Sequence, residues 1–441
     1  MLSDFIVINR KHNTPFYIQI YRQIKKAIEN GNIKGDEKLP SVRKICADLG
    51  VSKTTVEAAY TALCSEGYII NVPQKGYFVE KGIVIDSKII EQKSNDIITD
   101  KFYKYDFSGK GIDKNISNVK VWRKYVKDIL NKEYLLNTYS ENQGEAELRK
   151  AISKYAFSSR GAKSEYNNII IGSGSQTLIY ILCGLLGLNK TVAMERNSFP
   201  QAEQVFSDFK YNIKYTESDN KGISVNSLEK INPDIILINP NDSKYGSSGM
   251  PVTRKIEIIN YAKKRGAIII EDDYNGELRY KSHPTACLQS YGTECTVYIG
   301  SFSRILLPSV RISFMCLPEK MLKKYLVIKD NYNQTTSKIE QLALADYIKD
   351  GKLEKHLRKL RRYYKQKSDI MKSSIKSRFK EYSFNETAMY FEIKGNSNKL
   401  ENSDVKAMRT SDDTIIRLNF SQISSELIES GINEISKLIS K

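Results

Sequence analysis

Three short polar clusters in this 441-residue sequence have the composition of a small-molecule site. Gly172-Ser173-Gly174-Ser175-Gln176 sits between an apolar run and a segment of helical period. Backbone N–H groups at such a helix start can cradle a phosphate; a plain tight turn would read the same way. Glu271-Asp272-Asp273-Tyr274 ends a second apolar run. A carboxylate there could pair with a pyridinium nitrogen and a phenol could reach a ring hydroxyl; a solvated acidic strand end has the same letters. Gly300-Ser301-Phe302-Ser303 closes a third run, with Arg311 seven residues after Arg304. Two hydroxyls and an arginine converging on a phosphate are chemically coherent.

Other chemistries have less support. His12, His283 and His356 are the three histidines, and none pairs with a second ligand at metal spacing, so no metal is expected. Six cysteines (Cys46, Cys64, Cys183, Cys287, Cys295 and Cys316) are scattered without CxxC spacing. That excludes a disulfide scaffold and a zinc ribbon, and suits a reducing cytosol. The longest apolar run, residues 178–188, is too short to span a bilayer. Asp4 precedes any long apolar stretch, which argues against a signal peptide. No membrane partner is expected.

The clusters fall where a layered fold would place a ligand. Runs 169–173, 191–195, 234–239, 267–272 and 296–301 are β-rich and bounded by Gly, Asn or Pro. Helical patterns such as 175–186 and 253–266 lie between them. That alternation predicts βα units and a mostly parallel sheet covered on both faces, with ligands at the strand C-ends. The expected fold is α/β over residues 104–318, with a smaller α+β lobe over 319–441. That lobe has strands at 387–394 and 414–420 and a final helix at 423–439. Residues 81–103 read as a linker.

Residues 1–80 read differently. Ile20, Ile24, Ala27 and Ile28 share one face of a helix that Gly31 ends. Ser41 can cap a second helix reaching Leu49, Gly50 makes a turn, and Ser52 caps a third helix to about Glu66. This is helix-turn-helix syntax. The third helix points Val56, Ala59, Tyr60 and Leu63 inward and exposes Ser52, Lys53, Thr54 and Thr55, the end that enters a major groove in this motif. Residues 69–79 form a hairpin with Gln74-Lys75-Gly76 at its tip. A protein-docking trihelix is the alternative. The region holds 11 basic and 8 acidic side chains, so charge alone does not identify it. The whole chain carries 69 Lys+Arg against 51 Asp+Glu, a net +18 that favours an anionic partner or reflects a Lys-, Ile- and Asn-rich genome.

The first 80 residues resemble the winged helix-turn-helix of GntR-type bacterial repressors. The likeness rests on Leu39-Pro40-Ser41 with Arg43, Leu49-Gly50-Val51-Ser52 with Thr55-Val56, Ala59-Tyr60, Leu63, Glu66-Gly67 and Gly76. It implies double-stranded operator DNA as a partner, contacted by Arg43, Ser52, Lys53 and Thr54, with the wing residues Lys75 and Gly76 beside them. The later clusters look like a fold-type-I pyridoxal-phosphate enzyme. Together the two parts resemble the MocR-type subfamily of GntR regulators, also through Trp122, Tyr139, Gly144, Leu148-Arg149, Glu277, Tyr280, Pro308 and Arg417-Leu418. That resemblance implies a head-to-tail homodimer. Asp272 would hold the pyridine nitrogen and Tyr274 the ring hydroxyl. Ser175, Gln176, Ser301, Ser303 and Arg311 would hold the phosphate. Phe199 could cover the ring, Asn241 could face a ring hydroxyl, and Arg417 could clamp an effector carboxylate.

The sequence also departs from that pattern. After Gly-Ser-Phe-Ser the family has the lysine that forms a Schiff base; here stands Arg304. Arginine stays protonated and cannot attack an aldehyde. Residues 239–244 and 195–200 depart as well, and 395–413 are short and polar. The expectation is a cytoplasmic transcription regulator without Schiff-base chemistry, its aminotransferase-like domain serving dimerisation and effector sensing. The alternative is a working aminotransferase fused to a DNA reader. The pocket would take pyridoxal phosphate noncovalently, take another small anionic effector, or stay empty. Residues 351–380 carry twelve Lys/Arg against two acids, read as a solvated helix or an additional DNA-backbone contact.

Overall fold

The computed structural model describes residues 6–10, 14–82, 102–241, 249–273, 276–280, 285–379, 384–387, 389–401, 403–408, 410 and 412–440. The chain forms two compact units, Met1–Asp100 and Lys101–Lys441. Most of the expected linker, 83–101, lies outside the described residues.

The first unit contains α1 (Phe16–Glu29), α2 (Val42–Leu49), α3 (Lys53–Ser65), β1 (Ile69–Val72) and β2 (Gly76–Val79). Ile20, Ile24, Ile28, Ile45, Val56 and Leu63 meet in one core. The helix ends follow from capping chemistry. The Ser41 hydroxyl accepts from the Lys44 N–H at 3.3 Å, and the Ser52 hydroxyl from the Thr55 N–H at 3.2 Å. Gly50 sits at φ 62°, the left-handed conformation that closes α2 at little steric cost. Tyr60 then donates to the Pro40 carbonyl at 2.8 Å, fastening α3 to the segment ahead of α2. The hairpin pairs Ile69 with Val79 and Val72 with Gly76. Ser41→Ala should destabilise α2 by about 1 kcal/mol. Faster hydrogen exchange of the α2 amides would report it, and unchanged exchange would show that packing alone sets this helix.

The second unit carries a seven-stranded sheet. In chain order its relevant elements are α4 (Ala146–Arg160), β3 (Ile169–Gly172), α5 (Ser175–Leu186), β4 (Thr191–Met194), β5 (Asn212–Tyr215), β6 (Ile235–Ile238), α6 (Val252–Arg265), β7 (Ile268–Asp273), β8 (Thr296–Ser301) and β9 (Ser313–Cys316). The strand order is β3-β9-β8-β7-β6-β4-β5. The five runs singled out in the sequence are all strands. The sheet is parallel except for β9, which runs antiparallel to both its neighbours. Successive residues point to opposite faces. Ile169 and Ile171 join a core with Leu148 and Ile152 of α4, while Ile170 joins another with Leu178 and Leu182 of α5.

The chain continues with α7 (Lys338–Lys349), α8 (Lys352–Arg378), β10 (Phe384–Glu386), β11 (Tyr390–Lys394), β12 (Ile415–Asn419) and α9 (Ser425–Ser440). Strands β10, β11 and β12 form an antiparallel sheet, and α8 packs on α9. Several contacts cross the lobe division expected at 318/319. Tyr105–Asp106 pairs in parallel with Val405–Lys406, and Lys367 holds Asp113 at 2.9 Å with both side chains buried. Helix α7 instead packs against α4. Among the described residues no helix is long and apolar enough to cross a membrane.

Candidate functional site

The N-terminal end of α3 exposes Ser52, Lys53 and Thr54. The Ser52 hydroxyl is engaged locally. Besides the Thr55 N–H it lies 2.9 Å from Thr54 Oγ1 and 2.8 Å from Thr55 Oγ1, so this serine shapes the helix start as its cap. Lys53 is exposed and pairs one turn on with Glu57 at 3.3 Å, a contact that solvent keeps weak. Arg43 is exposed on α2, and Lys75 at the hairpin tip. The tip needs left-handed backbone at Gln74 (φ 62°) and Gly76 (φ 102°), which a glycine at 76 supplies.

The polar clusters of the second unit meet at strand C-ends. Gly174, at φ 125°, begins α5, and a Cβ there would lie 2.6 Å from Arg311 Nη2. The missing side chain therefore lets a guanidinium rest against the helix start. Arg311 Nη1 donates to the Ser303 hydroxyl at 3.3 Å, and the Ser303 N–H to Ser301 Oγ at 3.4 Å. Backbone N–H groups, a guanidinium and hydroxyls thus converge where an anion could sit. Gln176 is exposed in the first turn of α5.

Asp272 ends β7 beside this cradle, with Ser175 close enough to its carboxylate to favour the charged form. The carboxylate is buried and Oδ1 has no hydrogen-bond partner. Burial, reinforced by the charge of Asp273, pushes Asp272 up to about 7; the Ser175 side chain and the positive charge of Arg304 pull the other way. A buried acceptor with an empty oxygen suits a cationic or N–H-bearing ring edge. Tyr274 lies outside the described residues.

Other expected positions are occupied differently. The Asn241 amide donates to Asp273 Oδ1 at 2.6 Å, and its own Oδ1 is buried without a hydrogen-bond partner. Phe199 is half-buried and packs on the core that contains Phe206 and Leu178. Arg417 is not an open clamp. It lies directly opposite Glu392 in the β11–β12 register and donates to Glu392 Oε1 from Nε at 2.9 Å and Nη2 at 2.6 Å. Its guanidinium also stacks 4.8 Å from the Tyr390 ring centre. A ligand carboxylate would have to displace Glu392.

Comparison with known proteins settles the family. Residues 16–79 match the model of bacterial regulatory proteins of the gntR family, and residues 110–435 that of aminotransferase class I and II. The chain is 33% identical over 381 residues to the uncharacterized HTH-type transcriptional regulator YdeL of Bacillus subtilis, covering 85% of this chain and 82% of that one. It is 24% identical over 386 residues to the probable rhizopine catabolism regulatory protein MocR of Rhizobium meliloti, covering 83% and 78%. It is also 24% identical over 377 residues to the pyridoxine biosynthesis regulator PdxR of Corynebacterium glutamicum, covering 85% and 82%. The chain belongs to the MocR-type regulators of the GntR family. It is a transcriptional regulator with an aminotransferase-like domain. The solved kynurenine aminotransferase of Pyrococcus horikoshii shares the fold, with a TM-score of 0.68 at 21% identity, covering 81% of this chain and 96% of that one.

Sequence reasoning missed the polar network buried beneath this regulator's cradle. Arg160 Nε meets Asp273 Oδ2 at 2.6 Å, both side chains fully buried. Tyr298 donates to the same oxygen at 3.0 Å, and Tyr155 donates to Glu277 Oε1 at 3.1 Å. Arg160 holds Asp273 below the usual carboxylate range, while burial and the Asp273 charge push Glu277 up to about 7. Gly276 allows the approach: a Cβ there would lie 2.3 Å from Asp273 Oδ1. Arginine before Gly161 reads in sequence as an ordinary helix-end cation, and its partner comes from a strand 113 residues later. A cluster of Glu141, Glu145 and Glu147 also brings carboxylates within 4.8 Å, with Glu141 already bound to Arg149 at 2.8 Å.

Proposed function

We propose that this regulator works in the cytoplasm as a head-to-tail homodimer on double-stranded operator DNA, its aminotransferase-like domain sensing a small anionic ligand without turning it over. The observation that carries this reading is Arg304, which follows Gly300-Ser301-Phe302-Ser303 and puts its charge on Asp272 beside the cradle. Arg304 stands where the family has lysine, and a guanidinium cannot form the covalent link.

The residues present fit pyridoxal phosphate held noncovalently. The α5 start, Ser175, Ser301, Ser303 and Arg311 would take the phosphate, and the unpartnered oxygen of Asp272 would take the ring nitrogen. Bound there, the cofactor would supply an aldehyde reactive toward amines. Arg304 would hold a positive charge in the site and neither bond to that aldehyde nor move a proton. Ligand binding better to one dimer arrangement would shift the population and thereby the spacing of the two DNA readers.

On the DNA side, Arg43, Lys53, Thr54 and Lys75 are the proposed contacts, with Ser52 setting the start of α3. Nuclease protection of DNA flanking the protein's own gene tests the regulator reading. Arg43→Ala should weaken binding of the protected site about tenfold to a hundredfold, and Lys75→Ala should lower the salt slope by about 1. Unchanged affinity in both variants would reject these contacts. Transfer of an amino group to a 2-oxo acid by the wild-type protein would reject the silent-domain reading and favour a fused aminotransferase.

A further inference from the structure

Helix α8 has two unlike faces. Leu353, Leu357, Leu360, Tyr364, Met371 and Ile375 are buried against the rest of the unit. Lys352, Lys355, Arg358, Lys359, Arg362 and Lys365 are all exposed. These six cations occupy 14 residues, a length of about 20 Å at the helical rise of about 1.5 Å per residue. Glu354 is the one exposed acid within that stretch.

The structural needs of the helix are met by other cations. Lys367 is buried on Asp113 at 2.9 Å, Lys372 pairs with Glu386 at 2.9 Å, and Arg361 donates to the Glu277 carbonyl at 2.7 Å. None of the six outer cations forms an ion pair among the described residues. They also repel one another, because Lys352/Lys355, Lys355/Lys359, Arg358/Arg362 and Arg362/Lys365 stand three or four residues apart. Such a face is stabilised by a counter-ion from outside the chain. Arg358 and Arg362 lie one turn apart, and a guanidinium fork matches a phosphate.

We propose that the outer face of α8 is a second, sequence-independent contact for the phosphate backbone of duplex DNA, in addition to the winged helices. The proposal rests on the DNA-binding role of the family. About 20 Å of cationic helix matches about six nucleotides of one strand at about 3.4 Å each. A stripe of this kind binds weakly alone. A duplex already held by the winged helix of the same polypeptide is present at high effective concentration, which lets a weak contact fill.

The test uses the full-length protein and a random-sequence 60-base-pair duplex, with affinity measured from about 50 to 200 mM salt. The fivefold variant Lys355→Gln, Arg358→Gln, Lys359→Gln, Arg362→Gln, Lys365→Gln should lose about 2–4 units of slope in log K against log salt, at about 0.9 per phosphate contact. A matched variant removes five exposed cations elsewhere: Lys264→Gln and Arg265→Gln on α6, with Lys320→Gln, Lys323→Gln and Lys324→Gln on the helix Glu319–Ile328. It should keep the wild-type slope. If the fivefold variant melts early, Arg358→Gln with Arg362→Gln should still lower the slope by about 1–2. A wild-type slope in the α8 variants overturns the proposal, as does equal flattening in the matched variant, which would assign the effect to net charge. Failure of the wild type to bind the duplex at any salt would overturn the regulator reading as well.

Discussion

Arg160→Leu is expected to destabilise the aminotransferase-like unit by about 3–5 kcal/mol, the range for removing one partner of a buried ion pair. Asp273 would keep its neutral donors, Asn241 and Tyr298, and lose the cation at 2.6 Å. Its carboxylate would then be buried near Glu271, Asp272 and Glu277, all three of which are already pushed up to about 7. Asp273→Asn in the same chain should recover much of the loss, since the amide carries no charge: its oxygen still accepts from Asn241 and its NH2 can donate to the Tyr298 hydroxyl oxygen.

The sign of the pH dependence follows from Asp273. In the wild type its folded pKa is depressed, so it contributes stability above its unfolded pKa, and that contribution is lost as pH falls through the folded value. Without Arg160, burial raises the folded pKa and the sign reverses: the unpaired charge costs more as pH rises. The deficit of Arg160→Leu should therefore be larger at pH 8 than at pH 5 in urea unfolding. Equal deficits at both pH values would mean that Arg160 acts through packing alone.

The same strand shows how far the sequence could be read. Glu271-Asp272-Asp273 is conspicuous as letters, and its place at a strand end follows from the apolar run before it. Strand alternation then divides the three carboxylates. Glu271 accepts from the Leu288 and Gln289 N–H groups, Asp273 turns to Arg160, and Asp272 faces Ser175 with Arg304. Period alone says that Asp272 opposes its neighbours. It does not say which side holds the cradle, because that depends on where α4 and α5 pack. Arg417 gains a partner that its local motif does not announce, because Glu392 is brought opposite it by the β11–β12 register.

Elements were legible where local chemistry was strong. The capping serines and Gly50 mark α2 and α3 almost to the residue, and the Ile-rich strands are buried on both faces. Two strands of the seven-stranded sheet escaped notice. β5 lies at the sheet edge, and its pattern Asn-Ile-Lys-Tyr leaves three of four residues exposed. β9 has four buried residues, but it runs antiparallel in a sheet whose other strands come from βα units, so no helical crossover announces it.

Arg304→Lys should yield a protein that captures pyridoxal phosphate at close to one adduct per chain, while the wild type yields none after borohydride reduction and intact-mass measurement. The substitution keeps the charge at neutral pH and changes one property: an ammonium can lose its proton and attack an aldehyde, a guanidinium cannot. Everything else the reaction needs must already be in place, namely the α5 start with Gly174, Arg311 on Ser303, and the unfilled oxygen of Asp272. An adduct at position 304 would therefore report on the whole cradle. Should neither protein retain the cofactor, the cradle serves another anion and the pyridoxal reading falls, with the DNA-binding reading untouched. Amine transfer from amino acids should stay absent even in the variant, because Arg417 remains on Glu392. Adding Glu392→Gln would free that guanidinium. A gain of amino-acid turnover only in the double variant would show that two separate changes, one at each end of the substrate, hold this domain silent.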